Sequence, residues 1–136
     1  MPKNFTSPTQ KTGEIGENLA EEFLVKHDFI VLERNYTRKW GEIDIIAEKD
    51  RKLYFIEVKS ISKENIKNTS KKILDEYRPE DNMHPWKMQR MARTIQTYLL
   101  ENKIPDGKEW QVDLLVVFID LKNKKAKVKL VNDIIL

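Results

Sequence analysis

Three charged residues stand where apolar ones are expected. Asp44 interrupts the run from Ile43 to Ala47, and Glu57 and Lys59 flank the end of the run from Leu53 to Val58. Both runs are rich in aliphatic and β-branched residues, which predicts strands. An ionised group placed among such residues is costly to bury unless something pairs with it. Side chains alternate along a strand, so Glu57 and Lys59 share one face while Val58 takes the other, and Asp44 lies opposite Ile43 and Ile45. The intervening Glu48, Lys49, Asp50 and Arg51 allow the strands to pair as a hairpin. That hairpin sets Asp44 beside Glu57, two like charges that call for a cation between them, with an ammonium two residues further on. Such a set suits a hard divalent metal and attack on phosphate. A cross-strand salt bridge on an exposed strand edge is the plainer alternative.

The rest of the composition narrows the chemistry. A chain of 136 residues is one domain, long enough to bury a core without covalent help. It has no cysteine, so no disulfide framework and no thiolate zinc site, and only two histidines, His27 and His84. Any metal is therefore expected to be an oxygen-ligated ion. The apolar runs are too short to span a bilayer and the N-terminus is polar rather than signal-like. No membrane association is expected, and a cytoplasmic location follows. Net charge is +3, from 25 basic and 22 acidic residues. The placement of the basic residues therefore says more about nucleic acid than the total does.

Positioning elements follow from periodicity. Residues 1–12 lack an apolar pattern and read as a flexible tail, leaving residues 13–136 as the single domain. From Gly13, Ile15, Leu19 and Phe23 recur at four-residue spacing, widened by Ala20 and Leu24, which predicts a helix ending near His27-Asp28. Phe29–Leu32 reads as a strand, followed by the two strands already described. Residues 60–85 are polar and lysine-rich, with Lys63, Lys67, Lys71 and Lys72, and read as an insertion, lid or arm. Pro85-Trp86 opens a second helix, proline being suited to a first turn. Its apolar stripe is Met88, Met91, Ala92, Ile95 and Leu99, with Lys87, Arg90 and Arg93 together on another face near Thr94 and Thr97. Pro105-Asp106-Gly107 breaks the pattern. Two more strands, Val112–Ile119 and Ala126–Val131, flank a turn at Lys122–Lys125. The predicted order is αβββαββ.

These residues resemble a known group. An acidic first helix, an acid on the second strand and Glu-x-Lys on the third resemble the core of the PD-(D/E)xK nuclease superfamily. More closely, the chain is similar to the YraN-like family of small bacterial proteins. The likeness runs through Gly13, Gly16-Glu17 and Ala20, Arg34-Asn35-Tyr36, Gly41-Glu42-Ile43-Asp44-Ile45-Ile46-Ala47, Phe55-Ile56-Glu57-Val58-Lys59, Lys87 and Tyr98-Leu99. It implies a restriction-endonuclease-like α/β fold, a mixed five-stranded sheet flanked by helices. The family pattern usually carries an arginine two residues after the Glu-Val-Lys string, where this chain has Ser60-Ile61.

The resemblance also implies roles. Asp44 and Glu57 hold one Mg²⁺ or Mn²⁺, with the Val58 carbonyl and waters completing its shell, and Lys59 orients the attacking water or meets charge on phosphate. An acid in the position of Glu17 joins the metal site directly or through water; a solvated helix-face glutamate is the alternative. Asp113 matches a family acid and equally fits a strand-start cap. Lys87, Arg90 and Arg93, with Arg38 and Lys39, are the candidate phosphate-backbone contacts, aided by Thr94 and Thr97. Trp40 either stacks on a base or covers the hairpin end. The expected activity is metal-dependent hydrolysis of phosphodiester bonds in nucleic acid, DNA ahead of RNA, in structured or damaged substrates. A dimeric enzyme resembling Holliday junction resolvases is one alternative. A non-catalytic nucleic-acid-binding or adaptor module on the same fold is the other.

Overall fold

The structure, a computed structural model, describes residues 8–62 and 85–134. The order is α1 (Pro8–Lys26), β1 (Ile30–Arg38), β2 (Gly41–Lys49), β3 (Lys52–Ser62), α2 (Pro85–Glu101), β4 (Trp110–Asp120) and β5 (Lys125–Val131). Five strands form one sheet in the order β1-β2-β3-β4-β5. Neighbours pair antiparallel except β3 and β4, which run parallel. A parallel pair needs a crossover, and α2 lies on it.

Local sequence explains the joints. Asp50 and Arg51 both take positive φ, 50° and 66°, so a two-residue turn closes β2 onto β3 at Lys49↔Lys52; paired positive φ values match the right-handed twist of the strands. Each helix ends on a left-handed residue, Asp28 after α1 and Lys103 after α2. The following amides, of Phe29 and Ile104, return to the carbonyls of Leu24 and Leu99, closing the helix ends as Schellman motifs.

Apolar clusters cover both faces of the sheet, and Leu114, Val116 and Phe118 of β4 form one of their own. Ala20 and Leu24 of α1 pack on Ile45, Ala47, Ile56, Leu115 and Val117. Met91, Ile95 and Tyr98 of α2 pack on Tyr36, Ile46 and Phe55. Between them β4 is buried from Val112 to Asp120, as expected of a strand covered on both faces.

Several boundaries differ from the sequence reading. Helix α1 begins at Pro8, so residues 8–12 are helical rather than tail. Its contact line is Gly16, Glu17, Ala20 and Leu24, while Ile15 is exposed and Leu19 and Phe23 are half-buried. Gly16 causes that rotation: a Cβ there would lie 2.9 Å from Ser60 Cβ and 3.8 Å from Ile119 Cδ1, so the helix sits against the sheet along its glycine. Strand β1 continues past Leu32 through Arg38, and β3 continues through Ser62. Residues 60–62, assigned to the polar insertion, thus belong to the sheet because they pair with Val117, Phe118 and Ile119 of β4. The remaining insertion, with Lys63, Lys67, Lys71 and Lys72, lies outside the described residues. Among those described, no helix is long and apolar enough to cross a membrane.

Candidate metal and nucleic-acid site

Asp44 owes its direction to an irregularity shared by two strands. The β1–β2 pairing runs through Arg34↔Ile45 and then Tyr36↔Ile43, leaving Asn35 and Asp44 between them. Asn35 adopts φ 53°, a left-handed conformation that asparagine tolerates better than most residues. Facing changes across this point. Arg34 bonds Asn18 and Glu21 of α1, whereas Tyr36 stacks edge-on against Tyr98 of α2. On β2, Ile45 joins the α1-side core and Ile43 the α2-side core. The residue between them turns toward β3: Asp44 Oδ2 accepts the Val58 N–H at 2.8 Å. The paired β2–β3 register ends at Ile45↔Ile56, so beyond it a carboxylate takes the place of a strand carbonyl. N–H and C=O of one strand residue point to the same edge, which turns the Val58 carbonyl toward β2 as well.

Asp44 and Glu57 both line one pocket of about 370 Å³, with Gly41, Glu42, Trp86 and Lys87 among its walls. Asp44 is buried and the Glu57 side chain is 16% exposed. Both acids thus border the same pocket. The cation beside them comes from elsewhere: Lys87 Nζ of α2 sits 2.8 Å from Glu57 Oε1. Lys59 is exposed on β3 and is not part of the pocket wall. Glu17 is buried on α1, on the helix that covers the other face of the sheet, and does not line the pocket either. Glu42 lines the same pocket, but among the described residues no three Asp, Glu, His or Cys side chains are arranged to hold a metal ion together. The donor set is thus two carboxylates with the Val58 carbonyl nearby. That suits an ion of the Mg²⁺ type, which binds through one or two carboxylates and completes its shell with water and phosphate oxygens.

The basic residues divide into two groups. Arg38 is committed to Glu101 at the far end of α2, with Nε and Nη2 at 2.7 and 3.2 Å from its two oxygens. The Tyr36 hydroxyl donates to the same carboxylate at 2.6 Å. Hydrogen bonds from Arg38 and Tyr36 hold the Glu101 carboxyl below its ordinary value. Burial, reinforced by the bond to Glu101, drives the Tyr36 phenol far above the usual range. Arg90, Arg93 and Lys39 gather instead around Trp40. Arg93 lies 3.6 Å over the Trp40 ring and Lys39 Nζ 5.5 Å from it, while Arg90 Nε donates to the Trp40 carbonyl at 2.6 Å.

The hydroxyls of Thr94 and Thr97 are engaged within the protein. Thr94 is fully buried and donates to the Arg90 carbonyl; Thr97 donates to the Arg93 carbonyl and accepts the Trp40 indole N–H at 3.0 Å. Trp40 thereby pins the β1–β2 turn to α2, and Gly41 lets the two approach, since a Cβ there would meet Thr94 Oγ1 at 3.1 Å. Asp113 is buried, accepting from Gln111 and from the Asp133 amide, so it fastens the segment after β5. Asn35 and the pocket-wall role of Trp86 escape the sequence reading; an asparagine inside a strand-like run is the signal that points to the first.

A mixed five-stranded sheet flanked by two helices in the order αβββαββ, with an acid from each of two adjacent strands in one pocket, is an α/β nuclease-like core. Within that class the chain belongs to the uncharacterised protein family UPF0102, the YraN family, whose model matches residues 16–119. It is 31% identical to a UPF0102 protein of Caldicellulosiruptor bescii over 124 residues, covering 91% of this chain and 96% of that one. A UPF0102 protein of Campylobacter lari is 38% identical over 105 residues, 77% and 81% of the two chains. One from Campylobacter fetus is 36% identical over 119 residues, 88% of each.

Proposed function

We propose that the protein is a metal-dependent phosphodiesterase acting on nucleic acid, DNA in preference to RNA. One observation carries the reading: two carboxylates from neighbouring strands, Asp44 and Glu57, line a single pocket whose entrance adjoins a cluster of arginines and tryptophans. Asp44 and Glu57 would hold Mg²⁺ or Mn²⁺, with the Val58 carbonyl as a further oxygen donor. Bound there, the ion supplies Lewis acidity toward a phosphate oxygen and lowers the pKa of a bound water.

The chain's own groups do the rest. The Val58 amide holds one Asp44 oxygen, so the orientation of that carboxylate is preset before any ligand enters. Lys87 balances Glu57 in the absence of substrate and can move to a phosphate oxygen as the substrate enters. Lys59 is exposed on the same strand and outside the pocket wall, so in this reading it acts on a part of the substrate that extends past the pocket. In the reaction the water oxygen bonds to phosphorus as the bond to the leaving sugar oxygen breaks. The proton lost by the water goes to solvent or to a substrate oxygen, and the leaving oxygen is protonated.

A second reading has its own support. The Lys87–Glu57 ion pair gives Glu57 a partner without any metal, which suits a nucleic-acid-binding module that does not turn over. Manganese binding and cleavage measured together separate the two. Wild type should bind Mn²⁺, lose that binding in Asp44→Asn and Glu57→Gln, and cleave some member of a panel of duplex, flap, four-way-junction and single-stranded substrates. Tight nucleic-acid binding with no Mn²⁺ binding and no cleavage would favour the module and overturn the enzyme.

A further inference from the structure

Next to the acid pocket is a cleft of about 590 Å³ lined by Lys39, Trp40, Trp86, Gln89, Arg90 and Arg93. Half of its lining is cationic and none of it is acidic. The two tryptophans come from different elements, Trp40 from the β1–β2 turn and Trp86 from the first turn of α2. Each carries a guanidinium over its ring, Arg93 at 3.6 Å on Trp40 and Arg90 at 5.5 Å on Trp86. Trp86 is 52% exposed, an unusual exposure for the largest apolar side chain. The Arg93–Trp40 stack is held rigid by the Trp40 indole N–H on Thr97 and by Arg90 on the Trp40 carbonyl. Trp86 and Arg90 also belong to the wall of the acid pocket, so the two depressions are continuous along one side of α2.

We infer that this cleft binds unpaired nucleotides of a single strand and leads that strand into the acid pocket. Flat indole and guanidinium faces accept another flat π-system, and the adjacent ammonium and guanidinium groups accept a phosphate. A base inside a duplex hides both its faces against its stacked neighbours, so only an unpaired base can use these surfaces. An acidic protein segment would satisfy the cations but offers no flat ring to stack on the indole–guanidinium pairs. The inference rests on the nucleic-acid reading above and specifies its substrate as a single strand or the unpaired arm of a branched one.

The test is run on the full chain in EDTA, where cleavage and metal play no part. Tryptophan fluorescence and anisotropy are followed with an oligothymidine, a blunt duplex of equal length and polyglutamate, in wild type, Trp86→Ala, Arg93→Met and Trp110→Phe. Trp110 is partly exposed at the start of β4, stacks edge-on against Phe55 and does not line the cleft, so it controls for quenching elsewhere. The expected result is quenching by oligothymidine, an affinity loss of about tenfold in Trp86→Ala and a comparable loss in Arg93→Met. Trp110→Phe should leave the affinity unchanged, and circular dichroism should show all variants folded. Equal affinity for duplex and single strand, or oligothymidine binding indifferent to both Trp86→Ala and Arg93→Met, would overturn the inference, and preference for polyglutamate would assign the cleft to a protein partner. Single-strand binding without Mn²⁺-dependent cleavage would leave the cleft standing and reject the phosphodiesterase. Cleavage without single-strand preference would do the reverse.

Discussion

Replacing Asn35 by alanine and by glycine should reverse the usual ranking of those two residues. At an ordinary strand position glycine is the worse choice, by roughly 0.5–1 kcal/mol, because its unfolded chain has more freedom to lose. At φ 53° alanine meets the left-handed penalty of roughly 1–2 kcal/mol, which glycine escapes. Both variants delete the same amide, so whatever that group contributes cancels between them. The balance favours glycine by about 0.75 kcal/mol at the middle of these ranges, the left-handed penalty less the entropy term. Urea unfolding reads this directly: with a slope of roughly 2 kcal/mol per molar, the glycine variant should unfold about 0.4 M later than the alanine variant. The same substitution reaches the site. Asn35 lies at the point where β1 and β2 change facing, and Asp44 turns toward Val58 there. The alanine variant should also bind Mn²⁺ more weakly than the glycine variant. An alanine variant at least as stable as the glycine one, with equal slopes, would refute the claim that the left-handed residue sets this geometry.

Three further outcomes are expected. Asp44→Ala leaves the partly buried Val58 amide without its acceptor and should cost roughly 1–3 kcal/mol in chemical denaturation, whereas Asp44→Asn keeps an acceptor and most of the stability while still losing Mn²⁺. Lys87→Met removes the positive charge 2.8 Å from Glu57 and should strengthen Mn²⁺ binding by about tenfold, a modest effect for a half-exposed charge at short range; paramagnetic resonance titration showing weaker binding would reject Lys87 as a competitor. Glu101, held below its ordinary carboxyl value by Arg38 and Tyr36, should stabilise the fold above the unfolded-state value and stop doing so as pH falls through its lowered folded value. The stability gap between wild type and Glu101→Gln, measured by thermal melts from about pH 7 down to about pH 3, should therefore close on the acid side.

The strand pattern was readable because a short turn leaves little choice of register. With two residues between β2 and β3, the apolar runs align Ile45 with Ile56, and Asp44 and Glu57 come to one pocket. Strand β4 announced itself as an uninterrupted apolar run. What the sequence hid was contact made by residues that carry no hydrophobic signal. Helix α1 turns one position from its most apolar line because Gly16 permits closer approach than Ile15 does. Thr94 is buried because its hydroxyl is satisfied by the helix's own carbonyl, so polarity misplaced it. Strand β1 looked shorter because Glu33, Arg34, Thr37 and Arg38 are polar residues of an edge strand whose side chains are only partly covered. The Lys87–Glu57 pair joins residues whose proximity depends on how the whole crossover docks, which no local pattern encodes.

The topology also sets an order of events for the chain as it folds. Strands β1, β2 and β3 pair through successive hairpins, contacts that close small loops and form early. The parallel pairing of β3 with β4 closes a much longer loop and must wait for α2. Both acids of the pocket ride on the early hairpin, while the lysine that balances Glu57 arrives with the late crossover. During synthesis the same sequence of events is imposed by the N-to-C emergence of the chain. The nascent hairpin therefore leaves β3 as an open edge for β4, with Glu57 on it before Lys87 arrives. The charged side chains along that edge, Lys52, Glu57 and Lys59, resist premature pairing with other chains, and Glu57 gains its partner when α2 docks.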